Sequence, residues 1–446
     1  MNRTWIKGAT IVNEGTTYVG SLLIEGAYIK EVKAGSQIAM LDTDIVIDAQ
    51  GYLLMPGVID DHVHFRDPGL THKADMTSET EAAVAGGVTS FMDMPNCVPQ
   101  TTTLEALEEK HTMAREKSLI NYSFYLGATN NNIYLLRDLD TSKVCGVKLF
   151  MGASTGNMLV DRKEALRKIF EESPILIATH CEDQGVIRIQ TEHYKQLYGE
   201  DAPIEYHPYI RNEEACFNSS QLAVELARET GARLHVLHLT TARELSLFID
   251  KPIAEKHITA EVCIPHLMYT EEDYRTLGSK IKCNPAIKTQ KDREQLRKAL
   301  HTNLIDVVAT DHAPHLLAEK EGGAFKATSG MPYIQFSLLS MLELVEQQII
   351  DLPTVVQKMC HAPAEIYQID KRGYLREGYY ADLVLVDRTR SCIVTKEDIR
   401  SKCGWSPAEG KIFPASVHAT FVNGKLVYNK GKILHRDAAQ PLLFHR

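Results

Sequence analysis

The sequence lacks paired cysteines, a leader-like segment and any long apolar run. Its nine cysteines are scattered singly, without a CxxC pair, and an odd number of such thiols favours a reducing compartment over a disulfide framework. The first residues, MNRTWIKGATIVNEG, contain no apolar core of a secretory signal. No run approaches the roughly 20 apolar residues that span a bilayer. We therefore expect a cytoplasmic protein without a membrane partner.

An excess of positive charge is also missing. The chain carries 49 lysines and arginines against 58 aspartates and glutamates, for a formal net charge of −9 and a pI near 6.1. This balance argues against nucleic acid or an acidic membrane surface as a partner. A negatively charged small substrate would need a local positive site within the fold.

What the chain does have is enough apolar residues for a large core, with 446 residues and 44% hydrophobic content. Length alone predicts about two or three units, although α/β barrels often exceed that size as one domain. Short apolar runs alternate with helix-like stretches, which is typical of parallel strands covered on both faces. The pattern predicts an α/β protein with a (β/α)8 TIM barrel. The predicted barrel strands lie in residues 53–64, 88–94, 121–127, 146–150, 175–180, 233–239, 257–262 and 305–310.

The two ends of the chain differ from the barrel. Residues 1–56 and 375–446 contain alternating patterns of antiparallel strands, and the Asn423-Gly424 pair between apolar alternations is a strong hairpin signal. We expect both ends to pair into one small β-sandwich-like domain beside a catalytic barrel formed by residues 57–374. Two separate β-caps are the alternative.

The segment GVIDDHVHFRDPG, residues 57–69, carries two histidines on the first predicted barrel strand. His62 and His64 are two residues apart, so both imidazoles project to the same side of a strand. Two convergent imidazoles suggest metal binding, and the fixed cation of Arg66 suggests anion binding. An HxH motif alone is weak, because a single core histidine is usually structural.

Further metal-type ligands follow other strands at their carboxyl ends, where the chemistry of such barrels lies. His180 ends the fifth predicted strand, His238 ends the sixth, and Asp311 follows the eighth. Together with the two histidines of the first strand, they suit Zn²⁺. Five ligands are too many for one four-coordinate zinc with an open position, but they suit two metals that share a bridging group.

Lys148, on the fourth predicted strand, is the candidate for that bridge. A protonated lysine could not lie between two cations, but a lysine that has reacted with CO₂ becomes an anionic carbamate with two oxygens. Burial among positive charges lowers the pKa of a lysine and favours the neutral amine. The alternatives are a lysine that reaches solvent or one that binds the substrate directly.

Other residues near these ligands have simpler interpretations. His235 is three residues from His238, so we expect it to face the opposite side, toward the helices. Cys181 and Cys263 are expected to be small buried residues rather than ligands. Residues 313–332, with Gly322 and Gly323, predict a mobile loop over the site.

At these residues the sequence resembles the cyclic-amidohydrolase branch of the amidohydrolase superfamily, and within it the dihydroorotases. The matching motifs span the whole predicted barrel, and HFRDPG combined with TDHAPH is far more specific than HxH. The motifs are HVHFRDPG (62–69), DMPNCVPQT (93–101), KLF (148–150), ATHCED (178–183), HLTTA (238–242), NPAIK (284–288) and TDHAPH (310–315).

The resemblance implies two zinc ions bridged by a carbamylated Lys148 and a hydroxide. The ligands implied for one ion are His62, His64 and Asp311, and those for the other are His180 and His238. The substrate-binding residues implied are Arg66, Asn96, Asn284 and His315. Some bacterial relatives replace the bridging lysine with an aspartate from a nearby loop, and Asp161 is the alternative here. Asp161 is more simply interpreted as the N-cap of the helix that begins RKEALRK.

The reaction implied is the reversible cyclisation of N-carbamoyl-L-aspartate to L-dihydroorotate plus water in de novo pyrimidine (UMP) synthesis. A zinc-activated hydroxide would act with Asp311 as general acid and base. The alternatives are a hydantoinase (dihydropyrimidinase) or an allantoinase, and more remotely a non-catalytic scaffold of the same fold. The candidate partners are the small anionic substrate, a second copy in a homodimer, and aspartate transcarbamoylase.

Overall fold

The computed structural model describes residues 3–151 and 158–446 of the chain. The N-terminal part forms strands that hydrogen-bond along the central strand β1, which pairs with three others. These strands are β1 (Arg3–Asn13), β2 (Thr16–Glu25), β3 (Tyr28–Ala34), β4 (Ile45–Asp48) and β5 (Tyr52–Pro56).

Eight parallel strands then form the barrel in sequence order. They are β6 (Val58–Val63), β7 (Val88–Asp93), β8 (Asn121–Gly127), β9 (Gly146–Phe150), β10 (Ile177–His180), β11 (Leu234–Val236), β12 (Ile258–Cys263) and β13 (Val307–Ala309). The first and last strands approach each other through a parallel bridge between Val63 and His312, which nearly closes the ring. Each strand coincides with one of the predicted runs, and β12 extends one residue beyond its run, so the predicted TIM barrel is confirmed.

Helices separate the barrel strands. They are α1 (Met76–Ala85), α2 (Leu104–Lys117), α3 (Lys163–Glu172), α4 (Gln184–Tyr198), α5 (His207–Ile210), α6 (Glu213–Thr230), α7 (Ile264–Met268), α8 (Tyr274–Leu277), α9 (Gln290–Ala299), α10 (Ser337–Glu346), α11 (Leu352–Val356) and α12 (Ala362–Tyr367). Helix α6 begins after Asn212, whose side chain accepts from the backbone N–H of Ala215, and it ends at Gly231 in a left-handed conformation. This predicted helix therefore begins and ends at recognisable caps.

The C-terminal part returns to the first sheet. Its strands are β14 (Leu383–Asp387), β15 (Cys392–Ile393), β16 (Ile412–Phe413), β17 (Ser416–Val422), β18 (Lys425–Asn429) and β19 (Lys432–Ile433). Strand β14 pairs antiparallel with β5, so both chain ends share one nine-stranded sheet, as expected. The Asn423-Gly424 hairpin is also confirmed, with positive φ at both residues between β17 and β18.

One predicted run is divided between the two sheets. Residues 53–64 contain β5 of the nine-stranded sheet and β6 of the barrel, with Gly57 between them. A Cβ atom at Gly57 would lie 2.1 Å from Thr89 Oγ1, so only glycine allows this close approach. The chain therefore passes from one sheet to the other in a single residue, and the periodicity alone does not reveal the break.

Within the described residues, no helix is both long and apolar enough to cross a bilayer.

Candidate active site

All predicted site residues line one cavity of about 390 Å³ at the carboxyl ends of the barrel strands. The predicted residues are His62, His64, Arg66, Asn96, Lys148, His180, His238, Asn284, Asp311 and His315. The cavity is also lined by Phe150, Arg211, Ala313, Thr328, Ser329 and Gly330. Because the set comes from strands and loops far apart in sequence, the fold brings it together as the strand-end rule predicts.

The first cluster of metal-type ligands joins the two ends of the barrel. Asp311 Oδ1 lies 3.0 Å from His64 Nε2 and 3.3 Å from His62 Nε2. These ligand atoms lie within 4.8 Å of one another. Two nitrogens and one carboxylate oxygen with this spacing can hold a zinc-sized cation.

The second cluster consists of two histidines on neighbouring strands. His180 Nδ1 and His238 Nε2 are 2.9 Å apart, and both residues are buried. Two ring nitrogens that point at each other need a shared proton or a shared cation. The predicted second pair of ligands therefore has its donor atoms directed at one point.

In three of these histidines, the ring nitrogen that faces away from its cluster has a hydrogen-bond partner, which determines the tautomer. His62 Nδ1 lies 2.9 Å from Glu261 Oε1, and His180 Nε2 lies 2.8 Å from Glu182 Oε2. His64 Nδ1 lies 2.6 Å from the side-chain oxygen of Asn96. When a ring donates its N–H to such an acceptor, the other nitrogen presents a lone pair to a metal ion. The donor set thus fits metal ions, and Asn96 contacts the ring of His64 in addition to lining the cavity.

Burial keeps these imidazoles neutral. It lowers the pKa of His62 to about 4 and holds the pKa of His238 well below its ordinary value. For Asp311, burial acts to raise the pKa, but nearby His62 and the hydrogen bond from His64 outweigh it, and the pKa lies below its ordinary value. Neutral rings beside an ionised carboxylate are the protonation states that metal binding requires.

Lys148 lies on β9 and is only 1% exposed. Burial is the main cause that lowers its pKa to about 8. Its Nζ lies 4.7 Å from the centre of the Phe150 ring, inside the cavity. The lysine does not reach solvent, which removes one of the sequence-based alternatives, and its lowered pKa favours the neutral amine more than in an exposed lysine.

The interpretation of Asp161 as a helix N-cap is wrong. Helix α3 has Arg162 at the N-cap position, without a capping side-chain hydrogen bond. Asp161 is exposed and accepts instead from Asn130 Nδ2 at 3.0 Å. The adjoining residues 152–157 lie outside the described part of the chain.

Three site residues have left-handed backbone conformations. Arg66, His238 and Asp311 have φ of 65°, 41° and 49°. Non-glycine residues adopt this region at a cost of about 1–3 kcal/mol each, and such strain tends to cluster at functional sites. At His238, the conformation also breaks the alternation of the strand.

That break explains why the expectation for His235 is wrong. Strand β11 ends at Val236, so the two-residue periodicity does not extend to His238. His235 is fully buried, with Nδ1 2.7 Å from Thr259 Oγ1 and Nε2 3.3 Å from Asp61 Oδ2. Its Nε2 also lies 3.9 Å from Glu261, so His235 lies in the barrel interior beneath the ligands and not against the outer helices.

Arg66 is buried and directed into the cavity. Its Nε donates to the carbonyl of Pro314 at 3.0 Å, and Nη2 lies 3.0 Å from His315 Nε2. The other ring nitrogen of His315 lies 3.1 Å from Lys73 Nζ. Burial, with Arg66 and Lys73 next in effect, lowers the pKa of His315 to about 2. The ion pairs among described residues include Lys73 with Glu319, but none includes Arg66.

The loop of residues 313–332 covers the side of the cavity next to Arg66. Lys320 Nζ donates to the carbonyls of Thr328 and Gly330 at 2.7 and 2.8 Å, and the side chain of Asp201 accepts from the N–H of Gly323 at 2.6 Å. Asn284 Oδ1 accepts from Ser329 Oγ at 3.0 Å, which joins a predicted substrate-binding residue to this loop. The loop has defined anchors, and its mobility stays a prediction.

Several residues of the site were missed from the sequence. Glu182 contacts both His180 and Arg211, and Glu261 contacts His62. A signal for Glu261 exists in the sequence, since a charged residue inside a predicted buried strand needs a polar partner. Arg211 and Lys73 carry no such local signal, because their contacts depend on loops that meet only in the folded barrel.

Comparison with known proteins agrees with this geometry. Residues 53–427 match the amidohydrolase family. A dihydroorotase of Methanosarcina acetivorans is 32% identical over 442 residues, covering 96% of this chain and 92% of that protein. An allantoinase of Bacillus velezensis is 31% identical over 432 residues, covering 96% and 94%.

The solved structures agree as well. An L-hydantoinase (dihydropyrimidinase) from Arthrobacter aurescens superposes with a TM-score of 0.92 at 26% identity, covering 99% of this chain and all of that one. Sequence and fold therefore point to enzymes that act on cyclic amides. The chain belongs to the amidohydrolase family and is a cyclic amidohydrolase.

Proposed function

We propose that this enzyme is a dihydroorotase, which interconverts N-carbamoyl-L-aspartate and L-dihydroorotate plus water in pyrimidine synthesis. The observation that carries the proposal is Arg66, a guanidinium that is 8% exposed and forms no ion pair among the described residues. A buried cation without a counter-ion is costly unless a ligand supplies the missing negative charge. A substrate carboxylate would do so, whereas hydantoin and allantoin rings carry none.

The metal ligands form the second half of the proposal. Two zinc ions would be held by the clusters described above, and a carbamylated Lys148 would supply a further anionic ligand. The converging ring nitrogens, their hydrogen-bonded opposite sides and the lowered pKa of Lys148 support this arrangement. When bound, such ions supply Lewis acidity and lower the pKa of a coordinated water.

Asp311 is the proposed proton carrier. In hydrolysis its carboxylate accepts the proton of the attacking hydroxide and then delivers it to the departing ring nitrogen. Synthesis reverses both transfers through the same side chain. Its contact with His62 and His64 keeps it ionised before the reaction, which suits a group that must first act as a base.

A substrate comparison on one purified sample tests the proposal. L-dihydroorotate, hydantoin, dihydrouracil and allantoin would be offered to the zinc-loaded enzyme, and N-carbamoyl-L-aspartate would be offered in the reverse direction. We expect the highest kcat/KM for the dihydroorotate pair. Turnover of a neutral ring without turnover of dihydroorotate would assign the enzyme to the hydantoinases or allantoinases. Folded protein that binds zinc but turns over none of these compounds would favour a non-catalytic scaffold.

A further inference from the structure

One carboxylate contacts ligands of both metal clusters. Glu261 lies on β12 and is fully buried. Its Oε1 lies 2.9 Å from His62 Nδ1 and accepts from the backbone N–H of His238, also at 2.9 Å. His62 belongs to the first cluster and His238 to the second, so a single oxygen atom links the two.

The contact with His62 determines which ring nitrogen can bind a metal. If Nδ1 carries the proton and donates it to Glu261, Nε2 is left as a lone pair facing Asp311. The hydrogen bond also restrains rotation of the ring. Acceptors of this kind, which lie behind a ligating histidine, typically change metal affinity about 10- to 100-fold when removed.

The contact with His238 acts on the backbone instead. His238 has φ of 41°, and within the described residues its Nδ1 has no hydrogen-bond partner. The ring therefore lacks the acceptor that the other ligand histidines have. The bond from its backbone N–H to the Glu261 side chain is one of the contacts that hold the left-handed turn from which the ring projects, beside the backbone bond from Leu239 N–H to the Glu261 carbonyl.

Glu261 also contacts residues deeper in the barrel interior. Its other oxygen, Oε2, lies 3.9 Å from His235 Nε2, and that nitrogen lies 3.3 Å from Asp61 Oδ2. All three of these side chains are fully buried in the barrel interior. Glu261 thus lies between a rigid interior and the ligands above it.

We propose that Glu261 is a positioning residue that aligns His62 and His238 for metal binding. The inference rests on the proposed two-metal function. It predicts that the hydrogen bonds of Glu261, and not its volume or its burial alone, determine metal affinity.

The test compares Glu261→Met, which keeps the approximate volume, with Glu261→Gln, which keeps an oxygen able to accept both bonds. Glu244→Met is the matched control, because Glu244 is also buried and accepts from Ser220 and Thr241 without touching a ligand. Metal number and affinity would be measured by chelator competition with Zn²⁺, and ligand geometry by the visible spectrum of the Co²⁺-loaded protein.

We expect Glu261→Met to weaken affinity for at least one ion by about 10- to 100-fold and to alter the cobalt spectrum. Glu261→Gln should recover most of the affinity, and Glu244→Met should match the wild type in both readouts. Wild-type affinity and spectrum in folded Glu261→Met would overturn the inference, as would an equal loss in Glu244→Met.

Two further results distinguish a failure of this inference from a failure of the proposed function or of folding. A wild-type chain that binds no metal would overturn the proposed function, of which this inference is a part. If Glu261→Met does not fold, Glu261→Asp replaces it, because the shorter carboxylate keeps the charge but not the reach. The proposal then predicts weaker metal binding by Glu261→Asp than by Glu261→Gln, and equal affinities would overturn it.

Discussion

Two pairs of buried cations, one pair at each end of the barrel, differ in their partners. At the amino ends of the strands, Lys256 Nζ lies 2.7 Å from both oxygens of Asp306, and both side chains are fully buried. At the start of β8, Arg372 pairs with Asp382, which also accepts from Asn121, and Arg372 donates to Asn423. At the carboxyl ends, Arg66 and Lys148 are also buried, yet neither forms an ion pair among the described residues.

The paired cations are expected to contribute to stability, and the unpaired ones to function. A buried ion pair whose charges neutralise each other needs no ligand, and breaking it costs about 3–5 kcal/mol. A buried cation that lacks a carboxylate partner can pair with an anionic ligand that binds from solvent. Lys256 and Arg372 are therefore neutralised within the fold, whereas Arg66 can pair with the proposed anionic substrate and Lys148 can undergo the proposed carbamylation.

The largest expected effect at the carboxyl end comes from Asp311→Asn. The amide cannot accept and return a proton, so kcat should fall by about 10³-fold or more, in line with general acid–base contributions. Steady-state kinetics with L-dihydroorotate checks the result, and an unchanged kcat would remove Asp311 from the proton transfer.

Lys148→Ala should have the next largest effect. Loss of a shared anionic ligand should lower metal affinity and turnover by about 10²- to 10³-fold, which exceeds the usual cost of losing an outer-sphere partner. Added acetate, a small carboxylate that fits the vacated space, should restore part of the activity. Zinc titration with and without acetate measures both changes. Near-normal turnover in this variant would show that a group other than Lys148 bridges the two metal ions.

Two matched arginine variants test the contrast between an unpaired and a paired buried cation. Arg66→Gln should lower kcat/KM for L-dihydroorotate by about 10²-fold, because the substrate carboxylate loses its buried partner, while stability changes little. Arg372→Gln should do the reverse, with a loss of about 3–5 kcal/mol in unfolding free energy and normal turnover of the folded enzyme. Kinetics and denaturant unfolding of both variants provide the comparison. Similar losses of unfolding free energy in both variants would contradict the distinction between the unpaired Arg66 and the paired Arg372.

A smaller effect concerns Lys320, a third buried cation on the loop beside the cavity. Burial lowers its pKa to about 7, whereas the unfolded chain has a pKa near 10.5. Between these values the unfolded state binds more protons, so this residue makes stability rise as pH increases from 7 to 10.5. The unfolding free energy of wild type relative to Lys320→Met should therefore grow by about 1–4 kcal/mol across that range. A constant difference would contradict the lowered pKa.

The smallest effect is expected from Asp161→Asn. Asp161 is exposed and bound to Asn130, so the variant should retain turnover and metal affinity within about twofold, as is usual for surface substitutions. Metal content and kcat measured beside Lys148→Ala check this. A large loss in Asp161→Asn with a small loss in Lys148→Ala would transfer the bridging role to Asp161.

Much of this architecture could be predicted from local patterns. Apolar runs located the barrel strands because each strand is covered on both faces, and the Asn423-Gly424 pair located a hairpin. His62 and His64 were assigned to one side from their spacing, and both line the cavity although the register of β6 against β7 shifts between Asp60 and Val63. The candidate ligand set, whose members line one cavity, followed from the rule that chemistry lies at the carboxyl ends of the strands.

The rest depends on tertiary contacts that no local pattern encodes. His235 was assigned to the wrong side because β11 ends at Val236 and His238 turns into a left-handed conformation. The roles of Glu182 and Arg211 depend on loops that meet only at the rim. Glu261 required knowledge of which strands are neighbours across the barrel. Periodicity describes a strand well but not the residues immediately after it, where most of this site lies.

The two-metal centre is tested most directly by an anomalous-scattering map of zinc-loaded crystals at the zinc edge. We expect two peaks, one between His62 Nε2, His64 Nε2 and Asp311, and one between His180 Nδ1 and His238 Nε2. We also expect additional electron density on Lys148 Nζ that reaches both peaks. A single peak in fully active protein, or an unmodified Lys148 beside two occupied sites, would contradict the proposed centre.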